Sequence, residues 1–212
     1  MLPNLITLFR IVLVFVSISL FGRSFYLDVA AIILTIITLT LDYVDGLLAR
    51  KLGLTTDVGA AFDIAGDRIV ENVYWIYFAA IGMISFWIPI IVITRGFLID
   101  FLRAVAFKKG KTAFGQKTMI TTWWGKVLVG SRISRATYGI LKCAAFCYLG
   151  MVITLRSTQA HFGISIGGDL LHSITVAGLW LIFAVVCLCI IRAVPVLWEG
   201  RQYLKSSLGQ GV

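Results

Sequence analysis

The chain reads as an all-α protein, a polytopic membrane bundle of six helices. Three observations lead there. Of its 212 residues, 59% are hydrophobic and only 14% charged, and the mean hydropathy is +0.96; soluble domains average about 45 to 50% apolar and about 25% charged. The stretches Ile11 to Leu20, Ala30 to Leu41 and Ile174 to Ile191 are uncharged and mostly apolar instead of alternating in polarity, which excludes a spanning β-barrel. At about 20 residues per crossing of a roughly 30 Å hydrocarbon layer, the length accommodates five or six spans and leaves no soluble domain of appreciable size. The expectation is a single membrane domain over residues 1–212.

Leu5 to Phe21 is the first span, with Pro3 suited to a helix start, and the opening MLPNLITLFRIVLVF has no early basic segment or small-residue cleavage site, so it reads as a retained helix. Val29 to Arg50 and Gly59 to Gly82 form the second and third. Phe86 to Phe107 is the fourth, with Pro89 in its first turn. Ile133 to Leu155 is the fifth and Leu170 to Leu197 the sixth, where Pro195 is expected to bend or stop the helix. Cys143, Cys147, Cys187 and Cys189 all fall inside apolar stretches, without metal-ligand spacing or the loop placement of a disulfide framework.

Charge orients the bundle. The formal net charge is +9, from 19 Lys and Arg against 10 Asp and Glu. Arg103, Lys108, Lys109, Lys111, Lys117, Lys126, Arg132 and Arg135 gather around the connection between spans four and five, so the positive-inside rule places that connection, and with it both termini, in the cytoplasm. No Asp or Glu occurs from Phe101 to Gly168. Such a basic region suits an anionic head group or an anionic substrate, and equally a topology signal that touches lipid phosphates; no nucleic-acid-binding motif accompanies it.

The acids are distributed unevenly. Asp42, Asp45, Asp57, Asp63, Asp67 and Glu71 lie between positions 42 and 71, at or within apolar helices, where an isolated carboxylate costs several kcal/mol. Asp42 and Asp45 share one helix face, being three apart; Asp63 and Asp67 share another, being four apart. Across one helix hairpin the two pairs converge. Four converging carboxylates repel one another unless cations sit between them, and hard oxygen donors without His or Cys suit Mg²⁺ or Mn²⁺, with room for two ions. Gly46, Ala49 and Gly59 flank the pairs with small side chains, and Arg50 adds a fixed cation. This is the equipment of phosphoryl chemistry: carboxylates to hold metals, metals and an arginine to neutralise phosphate oxygens, and space for a diphosphate. Asp57 reads as a cap for span three.

Residues 42 to 67, DYVDGLLARKLGLTTDVGAAFDIAGD, fix Asp42, Asp45, Gly46, Ala49, Arg50, Gly59, Asp63 and Asp67 in relative position. The pattern resembles the signature of the CDP-alcohol phosphotransferase family, D-x2-D-G-x2-A-R-x8-G-x3-D-x3-D, at all eight specified positions. The resemblance implies six transmembrane helices, a homodimer, and a dinuclear Mg²⁺ or Mn²⁺ site at the cytoplasmic face, where a phosphoalcohol group passes from a CDP-linked donor to a hydroxyl and CMP is released. It implies Asp42, Asp45, Asp63 and Asp67 as metal ligands, Asp67 also as the general base, and Gly46, Ala49, Arg50 and Thr56 as contacts to the CDP donor.

Within that family, Pro3, Asn4, Thr7 and Arg10 are similar to the opening of bacterial phosphatidylglycerophosphate synthases. Arg95, Arg103 and Lys126, which follows Gly125, are similar to the region that holds the phosphate of glycerol 3-phosphate. The implied reaction moves a phosphatidyl group from CDP-diacylglycerol to glycerol 3-phosphate. Arg95, inside the apolar VITRGFL, is hard to account for as topology alone. The sequence RIVENVYW after Asp67 and the stretch TTWWGKVLVGSR depart from that subfamily, so inositol 1-phosphate stays open as acceptor, with serine behind it. A cation transporter is a further reading, against which stand the crowding of the acids at one hairpin and the absence of an internal repeat. A non-catalytic scaffold explains the glycines but not eight placed positions.

Overall fold

The computed structural model describes residues 2–51, 57–108, 119–162 and 167–208, with side chains described except at 2–3, 43–51, 57–58, 108, 132, 160–161 and 203–208. All regular structure among the described residues is helical: α1 Leu2–Leu20, α2 Phe25–Lys51, α3 Asp57–Ala80, α4 Trp87–Lys108, α5 Trp123–Gly125 running into a π-helical turn Lys126–Gly130, α6 Arg132–Phe162 and α7 Gly168–Leu208. Among the described residues six long helices follow the order of the expected ones. By length and composition, three stretches among the described residues are able to cross a membrane: Phe25–Asp42, Ile133–Gln159 and Gly168–Gln202. The apolar part of α1 is shorter, and α3 and α4 carry charges along their length, Asp63, Asp67, Arg68 and Glu71 in one and Arg95, Asp100 and Arg103 in the other. The chain is an integral membrane protein.

Three boundaries differ from the sequence reading. Helix α2 begins at Phe25 and not Val29, because the Ser24 hydroxyl accepts a bond from the Leu27 amide at 3.4 Å and the Ser24 carbonyl one from the Asp28 amide at 2.9 Å. Helix α6 continues past Leu155 to Phe162. Apolar counting ends a span where polar residues start, whereas Ser157 and Thr158 stay helical and donate their hydroxyls to the Thr154 carbonyl at 3.1 and 2.7 Å. Helix α7 does not stop at Pro195 but runs on to Leu208. Proline removes one backbone donor, and here Ala193 and Val196, both buried in one apolar cluster, hold the helix on either side of it.

The chain divides into two compact units. The first comprises residues 1–89 and 143–181. Its core is aromatic: Phe146 of α6 meets Trp75 at 4.8 Å and Tyr74 at 5.0 Å between ring centroids, and Phe78 at 6.0 Å. The Tyr74 hydroxyl shares a hydrogen bond of 2.9 Å with Ser17 of α1, so the buried phenol is satisfied. The link between α1 and α2 turns at Gly22, whose φ of +79° favours glycine. Asp28, fully buried, accepts the Gly22 amide at 2.6 Å and the Ser157 hydroxyl, which ties that turn to α6. Close packing of α1 on α3 is set at Gly66, where a Cβ would collide with the Thr7 methyl group. That contact fixes how α1 lies beside Asp63 and Asp67.

The second unit comprises residues 90–142 and 182–212. Ile99 and Ala106 of α4, Met119, Ile120, Val129, and Ala193 and Val196 of α7 form its buried cluster. Gly200 packs on Leu102 so tightly that a Cβ would stand 2.8 Å from the Leu102 Cδ1. Gly66→Ala should lower thermal stability in detergent by about 1–3 kcal/mol through overpacking against Thr7. Adding Thr7→Ser, which removes only the colliding methyl group, should return the melting temperature most of the way; a double variant no more stable than Gly66→Ala alone would contradict this account of the contact.

Candidate functional site

In the first unit three carboxylates meet. Asp42 near the end of α2 and Asp63 and Asp67 on α3 each bring an oxygen within 4.8 Å of the others. The spacing that puts Asp63 and Asp67 on one helix face therefore does bring them to Asp42. The backbone of α2 continues through Asp45, Gly46, Ala49 and Arg50, whose side chains lie outside the described residues, as does Thr56 altogether. Asp57 opens α3, where the cap is expected, with its side chain outside the description. Glu71, one turn beyond Asp67, is buried and pairs with Arg68 at 3.7 Å.

Beneath the carboxylates lies Arg10 of α1, which the sequence reading places only in a similar N-terminal segment and gives no part in the site. Its side chain is 2% exposed. One guanidinium nitrogen stands 2.9 Å from Asp42 and 3.8 Å from Asp63, the other donates to Asp67 at 2.9 Å, and Nε donates to the Thr38 carbonyl at 3.1 Å. The planar fork thus addresses both helices of the hairpin and its backbone at once, which the point charge of a lysine could not do. A buried arginine is tolerable only when its charge is met, and here Nε and one terminal nitrogen donate hydrogen bonds while the other terminal nitrogen is held by ion pairing to Asp42 and Asp63. The signal that could have found it is its helical position: Thr7 and Arg10 are three apart, on the face that Gly66 lets approach α3.

Among the described residues Arg10 meets the three carboxylates from the enclosed side, and the three acids keep 41%, 42% and 44% of their side-chain surface open while Arg10 is enclosed. The cluster is therefore neutralised from inside the protein on one side and open on the other. Oxygens that share a small divalent ion at about 2.1 Å lie about 3 to 4 Å apart, so a separation within 4.8 Å needs only small adjustment to hold one. All-oxygen donors fit Mg²⁺ or Mn²⁺.

The three cations expected to hold an acceptor phosphate lie in the second unit, and their circumstances differ. Arg95 of α4 is partly buried, its Nε is enclosed without a hydrogen-bond partner among the described residues, and it lies within electrostatic range of Arg192. Arg103 pairs with Asp100 at 3.7 Å one turn away. Lys126 opens the π-helical turn and is exposed.

The sequence reading misses Arg192 and counts Arg135 only as part of the basic connection. Arg192 is buried in α7, donates to the Ser134 hydroxyl, stands 5.4 Å from the Tyr138 ring centroid and feels the charges of both Arg95 and Arg135. An arginine in an apolar helix that feels the charges of two others makes a local concentration of positive charge. The signal is in view: a run such as IFAVVCLCIIRAVPVL rarely carries a lone charge, and Arg192 is the one basic residue between His172 and Arg201.

Comparison with known proteins gives the same direction. The profile of the family described as CDP-alcohol phosphatidyltransferase matches residues 1–194. A protein of Wigglesworthia glossinidia brevipalpis named CDP-diacylglycerol--glycerol-3-phosphate 3-phosphatidyltransferase is 38% identical over 183 residues, 77% of this chain and 94% of that one. Proteins of the same name from Haemophilus influenzae and Bacillus subtilis are each 32% identical, the former over 82% of this chain and 97% of its own length, the latter over 62% and 75%. A match across nearly the whole chain, with carboxylates of its signature gathered at one point, leaves one conclusion: this protein belongs to the CDP-alcohol phosphatidyltransferase family.

Proposed function

We propose that the chain transfers a phosphatidyl group from CDP-diacylglycerol to the hydroxyl of glycerol 3-phosphate, releasing CMP. The observation that carries this is the meeting of Asp42, Asp63 and Asp67 over Arg10, open on one side, within an intact family signature. The names of the relatives support the acceptor, as does the arginine group of the second unit. Residues 1–212 act in this reading as one membrane domain, its six long helices crossing the bilayer, with both termini and the site at the cytoplasmic side and two copies forming a homodimer.

Asp42, Asp45, Asp63 and Asp67 would hold Mg²⁺ or Mn²⁺, two ions in all, and the bound ions would supply positive charge to the diphosphate and the departing CMP. Gly46 and Ala49 leave room for the donor, and Arg50 and Thr56 contact it. Arg10 keeps the carboxylates of α2 and α3 facing one another. Arg95, Arg103 and Lys126, joined by Arg135 and Arg192, hold the acceptor phosphate, for which the arginine fork is well formed. The acceptor hydroxyl then attacks the lipid-bearing phosphorus in line, the P–O bond to CMP breaks, and Asp67 takes the hydroxyl proton.

Purified protein in detergent with Mg²⁺ should release CMP from CDP-diacylglycerol when offered glycerol 3-phosphate, and not with inositol 1-phosphate, serine or inositol. Asp67→Asn should lower kcat by about 10³-fold, within the usual contribution of a general base. Release with a different acceptor alone would keep the chemistry and move the acceptor. Mn²⁺ should raise the melting temperature of the wild-type protein and not that of Asp42→Asn or Asp63→Asn; equal shifts in all three would remove the carboxylates as ligands. Arg192→Met should raise KM for glycerol 3-phosphate about 10- to 100-fold, the loss of one charged hydrogen bond, while KM for the donor stays within twofold.

A further inference from the structure

The most completely satisfied carboxylate of the second unit takes no part in the chemistry above. Glu199 of α7 is 3% exposed. Its Oε2 accepts the amide of Thr121 at 2.5 Å and the Thr121 hydroxyl at 2.7 Å; its Oε1 accepts the Thr122 hydroxyl at 2.5 Å and the Thr122 amide at 3.3 Å. Four donors from two consecutive residues converge on one side chain 77 and 78 positions away. Burying a charge in an apolar bundle is tolerable only with such a set of partners, and the whole set comes from one short stretch of chain.

One helical turn after that stretch comes a residue that the proposed function assigns to the acceptor. The Thr122 carbonyl accepts the Lys126 amide at 3.0 Å, so Lys126 hangs one hydrogen bond from the residue that Glu199 grips. Thr122 stands at the cap position of α5 yet makes no side-chain cap, because its hydroxyl is committed to Glu199. Gly125, between them, is pressed into the same contact: a Cβ there would lie 2.6 Å from Ile120 Cγ2, 2.8 Å from the Thr122 hydroxyl and 3.2 Å from the Glu199 carboxylate. The turn is thus fastened to α7 by bonds at its start and by close packing just before Lys126. The TTWWGK sequence, which departs from the pattern expected of the subfamily, has a physical use here: its threonines supply the four donors and its glycine lets α7 approach.

We infer that Glu199 is a positioning residue for acceptor binding, which fixes through Thr121, Thr122 and Gly125 where the Lys126 ammonium can meet the phosphate of the acceptor. The inference rests on Lys126 contacting the acceptor phosphate, as in the proposed function. Glu199→Gln preserves size but turns an amide nitrogen toward two of the four donors, so about half the clamp is lost. The ammonium is then presented less often in the productive place, which weakens acceptor binding and leaves the donor site alone.

The test is a double-mutant cycle in KM. Glu199→Gln should raise KM for glycerol 3-phosphate about tenfold and leave KM for CDP-diacylglycerol within twofold. Lys126→Met should do the same, and the double variant should be no worse than Lys126→Met, because both changes remove one interaction. If Glu199→Gln does not fold, Thr122→Val, which removes one donor and keeps the carbonyl bonded to Lys126, should show the same split at about threefold. A melting temperature that falls with both KM values unchanged, or effects of Glu199→Gln and Lys126→Met that multiply, overturns the inference and leaves the acceptor reading in place. Lys126→Met without effect on KM for glycerol 3-phosphate overturns both.

Discussion

Everything in the first unit depends on how carboxylates are made tolerable inside an apolar bundle. Asp42, Asp63 and Asp67 stand on helices whose other residues prefer lipid or a dry core, and unpaired they would drive those helices apart. Arg10 reverses the sign of that force. Its fork bonds both helices of the hairpin and a backbone carbonyl, so the repulsion between the carboxylates becomes attraction to a common centre. The rest of the unit serves this geometry. Gly66 admits α1 close enough for the guanidinium to arrive, Ser17 and Tyr74 bond α1 to α3 further along, and the turn at Gly22 with Asp28 holds the other end of α1 against α2 and α6.

Arg10 meets the carboxylates from one side only. Among the described residues it is enclosed while Asp42, Asp63 and Asp67 keep part of their side-chain surface open, the arrangement that the proposed cation-binding role requires. In the second unit the charge is of the other sign: Arg192 feels the charges of both Arg95 and Arg135, while Glu199 is fully engaged by threonines. One unit thus gathers carboxylates and the other arginines, the two kinds of group on which the proposed function draws.

Much of this is legible in the sequence because it depends on period and composition. Apolar length locates six helices, three- and four-residue spacing puts Asp63 and Asp67 on a common face, and the motif connects them with Asp42. The part that is not legible depends on contacts between residues far apart in the chain. Arg10 lies 32 and 57 residues from Asp42 and Asp67, and nothing local in LITLFRIVL says which way its side chain turns. Arg192 stands out in its apolar run, but that run does not say which groups it acts with; the charges of Arg95 and Arg135, 97 and 57 positions away, reach it only through the fold. Glu199 is invisible for the same reason: its partners are two threonines with no hydropathy signal. The extent of α6 and α7 is underestimated because hydropathy reports where lipid ends, whereas a helix ends only where its backbone bonds do.

The distribution of charge also separates a transferase from a transporter more firmly than motif counting does. A transported cation needs ligands it can leave in both directions, so polar groups line a route near the middle of the bilayer. In the first unit the acids of the cluster are confined to the end of α2 and the first turns of α3, and the residues that continue α3 beyond Glu71 include Tyr74, Trp75 and Phe78, packed on Phe146. On the enclosed side of Asp42, Asp63 and Asp67 stands Arg10, and further along α3 comes the aromatic core. That arrangement fits the resident metal of the proposed function better than a transport route, which needs polar groups continued through the bundle.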